Sequence, residues 1–162
     1  MSMIGNFLQL SSDQLAALIA DPASVEAFIY PEDEEREDGI DIDKAWHGIH
    51  YLLTGNASGG EPPLADVIFG GTEIGDDFGY GPARYLTADE VKAAATALKD
   101  ITPEVLRSKY VASELSENEI YPETWNDPDG DAVEYLATWY QTLRDYYIDA
   151  AAKNNAMLIY LD

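Results

Sequence analysis

The stretch Asn155–Asp162, "NAMLIYLD", decides that the chain contains a sheet. From Ala156 to Leu161 every residue is apolar, and the run is too short for an ordinary buried helix. It reads as a strand with both faces covered, which places it at the centre of its sheet. The residues before it read differently. From Asp131 to about Asn154, the apolar positions Val133, Leu136, Tyr140, Leu143 and Tyr147 recur at helical spacing. Tyr135, Trp139 and Tyr146 add aromatic rings on neighbouring faces. This long helix is therefore expected to be buried along much of its circumference, or to offer part of itself to a partner.

Moving outward, Met3 to Leu10 reads as a first strand, with Ile4, Phe7, Leu8 and Leu10 apolar. Ser11 follows as a helix N-cap, with Gln14 at the spacing of a capping box. Pro22 opens a second short helix, "PASVEAFIY". "TADEVKAAATALKD" repeats the capping-box pattern with Thr87 and Glu90, and Val91, Ala94, Ala95 and Leu98 form its core face. Thr102 and Pro103 start a further helix, and a short helix and a loop lead from Val111 to the long helix.

The chain has 162 residues and 46% hydrophobic content, which suits one domain with a substantial core. It has no cysteine, so disulfides, thiolate metal sites and a cysteine nucleophile are excluded. "MSMIGNFLQL" lacks the basic start and apolar length of a signal peptide, and no window reaches the ~18 apolar residues of a membrane span. A soluble, cytoplasmic protein is expected. Thirty-one acids against nine bases give a net charge of -22. Nucleic acid and anionic membrane are then poor partners, and a basic protein is a favourable one. The same acidity also serves plain solubility.

Both histidines lie in Asp41–Gly55, "DIDKAWHGIHYLLTG". On a helix, Ile42, Trp46, Ile49 and Leu53 share one apolar stripe, widened by Ala45 and Leu52. His50 lies at its edge, Asp43, His47 and Thr54 lie on the adjoining polar flank, and Gly55 is the C-cap. Asp43, His47 and His50 resemble a two-histidine, one-carboxylate metal set. Spread over ~10 Å of helix axis, however, they are poorly placed to share one ion. The simpler reading pairs Asp43 with a surface His47 and hydrogen-bonds His50 near the core. No metal, cofactor or catalytic set is expected.

"PEDEEREDGIDID" (31–43) carries eight acids and reads as an exposed connection. The segment from Asn56 to Thr87 is rich in glycine and proline, with a short helix from Pro63 to Phe69, a hairpin-like stretch and a strand at Arg84–Leu86. It contains no phosphate-loop pattern. "NDPDGDAVE" alternates Asp127, Asp129 and Asp131 as a calcium loop does, but Gly130 and Thr138 occupy the wrong positions. A Pro-Asp-Gly turn with Asp131 as N-cap fits better.

Together "DIDKAWHGIHYLLTG", "GYGPARYLTADEV", "ENEIYP" and the terminal helix and strand resemble the YfbM-like bacterial family, a domain of unknown function. Its pattern falls on Asp43, Lys44, Trp46, His50, Leu53, Thr54 and Gly55, and on Tyr80, Gly81, Pro82 and Arg84; His47 falls on a variable position. The resemblance runs nearly the full chain. It implies an α+β fold, a single domain over 1–162 with helices around a small mixed or antiparallel sheet, and it brings no established activity.

His50, Asp43, Tyr80 and Arg84 are the candidate ligand- or partner-binding residues. One expectation is an acidic binding module, of inhibitor or immunity type, that neutralises a basic protein. The alternative is a small-anion binder or enzyme with a pocket around His50 and Arg84. A third is a structural domain with no discrete site. Arg84, one of only nine bases, is expected to pair with a carboxylate if it is buried.

Overall fold

A computed structural model describes residues 2–32, 38–77, 79–125 and 131–162. Strand β1 (Gly5–Leu10) leads into α1 (Ser12–Ala20), then a 3-10 turn (Pro22–Ser24) and α2 (Val25–Ile29). After β2 (Gly39–Asp41), a 3-10 turn (Asp43–Ala45) runs into α3 (Trp46–Thr54). A further 3-10 turn (Leu64–Asp66), β3 (Thr72–Ile74) and β4 (Ala83–Leu86) follow. Helices α4 (Ala88–Lys99), α5 (Pro103–Ser108), α6 (Ala112–Glu117) and α7 (Asp131–Ala152) precede β5 (Ala156–Leu161). The sheet order is β2-β1-β5-β4-β3 and every pairing is antiparallel. This is the expected α+β architecture.

Alternation along the strands divides the core between the two faces of the sheet. Phe7, Leu86, Met157 and Ile159 belong to a large core shared with α3, α4 and α7. Leu8, Leu10, Ala83, Ala156 and Leu158 belong to a smaller one, covered by Leu15 and Leu18 of α1 and Val25 and Ile29 of α2. Strand β5 is central, as its uninterrupted apolar run requires. Arg84 lies on the same face of β4 as Leu86, and so points towards the larger core.

Local signals hold closely. Ser11 with Gln14, and Thr87 with Glu90, form complete capping boxes, and Thr102 caps α5. Gly55 closes α3 in the left-handed region, at φ 75°. Four expectations need correction. The acid-rich connection contains a strand, β2, because Gly39–Asp41 pairs with Asn6–Leu8 of β1. Ile42 and Asp43 precede the regular helix: Asp43 has φ 50°, a left-handed backbone that Asp tolerates better than most residues, and Asp41 Oδ1 accepts its N–H at 3.0 Å. The helix expected over Pro63–Phe69 is only a single 3-10 turn. Asp131 is the first helical residue of α7. Asp127, Asp129 and Gly130, and acids 33–35 and 37, lie outside the described residues.

Trp46 joins α3 to the sheet. It is 5% exposed, its Nε1–H donates to the Met3 carbonyl at 2.9 Å, and a Cβ on Gly5 would sit 3.0 Å from its own Cβ. Glycine in β1 thus permits the close approach. Tyr121 stacks on the indole and Phe69 meets it edge-on, at 5.4 and 5.7 Å between centroids. Trp46→Ala is expected to cost about 3–5 kcal/mol of stability in denaturant unfolding. A loss below about 1 kcal/mol would contradict this packing.

Candidate functional site

The two histidines serve the loops beside α3. His47 Nε2 lies 2.8 Å from the Ala57 carbonyl, and its Nδ1 accepts the Tyr121 N–H at 2.8 Å. A carbonyl only accepts, so the proton sits on Nε2 and both ring nitrogens are engaged. His50 is 0% exposed, and its Nε2 lies 3.0 Å from the Gly59 carbonyl. The same logic puts its proton on Nε2. Its Nδ1 is left as a buried acceptor without a partner, the one such side-chain atom among the described residues. The expected pairing of Asp43 with His47 does not form. Asp43 Oδ2 instead accepts the Tyr135 hydroxyl at 2.6 Å, because the left-handed turn carries it towards α7.

His50 and Arg84 do come together, each beside Phe69. The Phe69 ring centroid is 4.5 Å from that of His50 and 6.0 Å from the Arg84 guanidinium carbon. Arg84 Nη1 donates to the Gly70 carbonyl at 3.0 Å. The expected carboxylate pairing is absent among the described residues: Glu73 faces Arg84 in the β3–β4 register but acts on it only through its field. Below them, the buried Tyr147 hydroxyl donates to the Val67 carbonyl at 2.6 Å. Burial pushes this phenol up, and the Arg84 charge partly offsets that. Each group thus ties the 67–70 turn to α3, β4 or α7.

Asp43 opens onto a cleft of about 530 Å³, bounded by Lys44, Trp125, Asp131 and Tyr135. The Tyr135 hydroxyl bridges two groups, donating to Asp43 and accepting the Lys44 N–H at 3.0 Å. Burial and the Asp43 carboxylate both push the Tyr135 phenol up, so it remains a donor at neutral pH. Tyr80 stands half-buried in the β3–β4 turn, where Asp77 accepts the N–H groups of Gly79 and Gly81. Among the described residues it is not a ring or hydrogen-bond partner of His50 or Arg84. The four candidates therefore occupy separate places: a buried His50 near a half-buried Arg84, an open cleft and a turn. Phe69 and Trp125 went unremarked in the sequence. A lone aromatic in a glycine-rich loop and another before a turn carry no periodicity to flag them.

No cluster of three metal-ligating side chains occurs among the described residues. The chemistry open to His50 follows from its surroundings. Burial lowers its pKa to about 4; the bond to the Gly59 carbonyl opposes this, and His47 and Arg84 add smaller depressing effects. Burial lowers His47 in the same direction. Both are neutral in the fold near pH 7, whereas the unfolded chain takes up these protons near the ordinary value of about 6.5. Their contribution to stability is complete above about pH 6.5 and declines below it; that of His50 is lost as pH falls towards 4, by about 3 kcal/mol. Imidazole resonances followed by NMR from pH 8 to 4 (about that range) are expected to show His50 unprotonated until near the bottom of it. A His50 titration close to about 6.5 would contradict the buried assignment.

The whole chain can now be set beside known proteins. It is similar to the crystal structure of YfbM from Escherichia coli, a protein of unknown function, with a TM-score of 0.77 and 22% identity over 98% of this chain and 99% of that one. At that identity the likeness establishes a shared fold. No curated protein sequence matches. The family described as a domain of unknown function, DUF1877, matches residues 1–160, and the chain belongs to it.

Proposed function

We propose that the chain is a binding module for a basic protein, of the inhibitor or immunity type, and not a catalyst. The observation that carries this reading is where the candidate groups point. His50 is buried and Arg84 is half-buried on the Gly70 carbonyl, whereas Asp43 borders an open cleft on a chain of net charge -22. Such a charge raises encounter rates with a cationic surface and repels nucleic acid and anionic membrane. A cytoplasmic setting accords with a cysteine-free chain. Among the described residues no helix is long and apolar enough to cross a membrane.

Affinity capture followed by reconstitution with the purified partner tests the proposal. A saturable complex is expected, with an association rate falling about tenfold between roughly 50 and 500 mM salt. Partners that are all acidic, or a rate indifferent to salt, would contradict it.

The small-anion alternative meets a chemical obstacle. His50 is neutral and buried, and it presents only a lone pair at Nδ1, which repels an anion. Arg84→Met is expected to cost about 1–3 kcal/mol, by leaving the Gly70 carbonyl without its donor. A thermal-shift screen with anionic metabolites separates the two readings. Ligand-specific stabilisation in wild type alone, with little change in the stability of the variant, would favour the anion site.

A further inference from the structure

We propose that the cleft between Asp43 and the start of α7 receives one arginine or lysine side chain of a protein partner. This rests on the reading of the chain as a module for basic proteins, and it names the point of attachment.

The cleft, about 530 Å³, falls within the range of roughly 300–1,000 Å³ typical of ligand pockets. Pro122, Ala132 and Tyr135 give it largely apolar walls, and the edge of Trp125 forms part of its lining. The methylene stem of a long basic side chain suits such walls, because its apolar carbons leave water while the charged head keeps a polar partner. Two carboxylates stand at the cleft, Asp43 and Asp131, against one base, Lys44.

Asp43 is prepared for a cation. The Tyr135 hydroxyl fixes Oδ2 at 2.6 Å, and Oδ1 takes no hydrogen bond among the described residues. Tyr135 is itself held by the Lys44 N–H, and the Asp43 backbone by Asp41. The carboxylate is thus oriented before any partner arrives, which reduces the ordering cost of binding. Asp131 adds its charge from the first turn of α7. Another large cleft among the described residues, about 540 Å³ beside Gln9, differs in kind. There Gln9 donates to Asp149 and accepts from Asn155, and Lys153 pairs with Asp149 at 2.9 Å. Its polar groups are occupied with one another.

The test uses a capped tripeptide, acetyl-Gly-Arg-Gly-amide, and its citrulline counterpart, which is neutral and nearly the same shape. Amide and indole NMR signals of the full chain are followed during titration. Saturable shifts are expected at Lys44, the Trp125 indole, Ala132 and Tyr135 with the arginine peptide, and not with the citrulline one. Asp43→Asn keeps an acceptor for Tyr135 and is expected to weaken binding about tenfold; Asp131→Asn weakens it about threefold, and Lys44→Met strengthens it. Asp149→Asn, some 27 Å further along α7, leaves it unchanged. Shifts scattered over other acidic surfaces, or equal affinities for Asp43→Asn and Asp149→Asn, would overturn the assignment. If Asp43→Asn proves misfolded in its spectrum, the Asp131→Asn and Lys44→Met pair decides by the opposite signs expected of them. Should the purified basic partner bind wild type and Asp43→Asn equally, the cleft assignment falls and the partner reading stands. Should the arginine peptide fill the cleft while no basic protein binds, the cleft is a small-cation site and the partner reading falls.

Discussion

Strand β5 is the constraint on which the rest of the molecule depends. It pairs along both edges, with β1 over its whole length and with β4 through Met157–Ile159. Its two faces alternate between two cores. Where it is paired on both edges, the strand has no face left for water, so it requires a helical layer on each side. Helices α1 and α2 supply one layer, and α3, α4 and α7 supply the other. The larger core holds α3 against the sheet through Trp46, and the position of α3 then determines where His47, His50 and Asp43 stand.

The histidine helix is best understood as a clamp for loops. Loops carry backbone groups that need partners, and two of the three loop groups held here are carbonyls, at Ala57 and Gly59, that each lie beside a ring nitrogen. The third, the Tyr121 N–H, is satisfied by the other nitrogen of His47. A neutral imidazole suits this work, because it offers one donor and one acceptor at fixed directions. Burial keeps both rings neutral near pH 7. Arg84 serves the 67–70 turn similarly, with its guanidinium on the Gly70 carbonyl and over the Phe69 ring. The polar groups most suggestive of chemistry thus hold irregular segments in place, and the open carboxylate stands elsewhere.

Charge underlies the proposal that a cationic partner occupies that open site. With thirty-one acids and nine bases, most carboxylates lack a basic neighbour in the chain. The ion pairs of Arg107 with Glu104 and Glu134 and of Lys153 with Asp149 lie at the surface, where such pairs contribute little. The long-range field is therefore strongly negative and is best relieved by an incoming cation. Asp43 is oriented by a tyrosine at the wall of an apolar cleft.

Features set by neighbours a few residues away were legible in the sequence. The capping boxes of α1 and α4 need only a hydroxyl and an acidic or amide side chain three positions apart. The burial of Trp46 followed from its stripe, and the central place of β5 from its unbroken apolar run. Distant partners decided the remainder. Strand β2 is three residues long, in charged sequence, and exists because β1 offers it an edge. The Asp43 carboxylate meets a hydroxyl 92 positions away, and His50 and Arg84 meet through a ring that belongs to neither element. Periodicity records which face of an element is buried, and composition records net charge. Neither records which polar group will lie opposite another once the layers close, because that depends on packing between elements that are not adjacent along the chain.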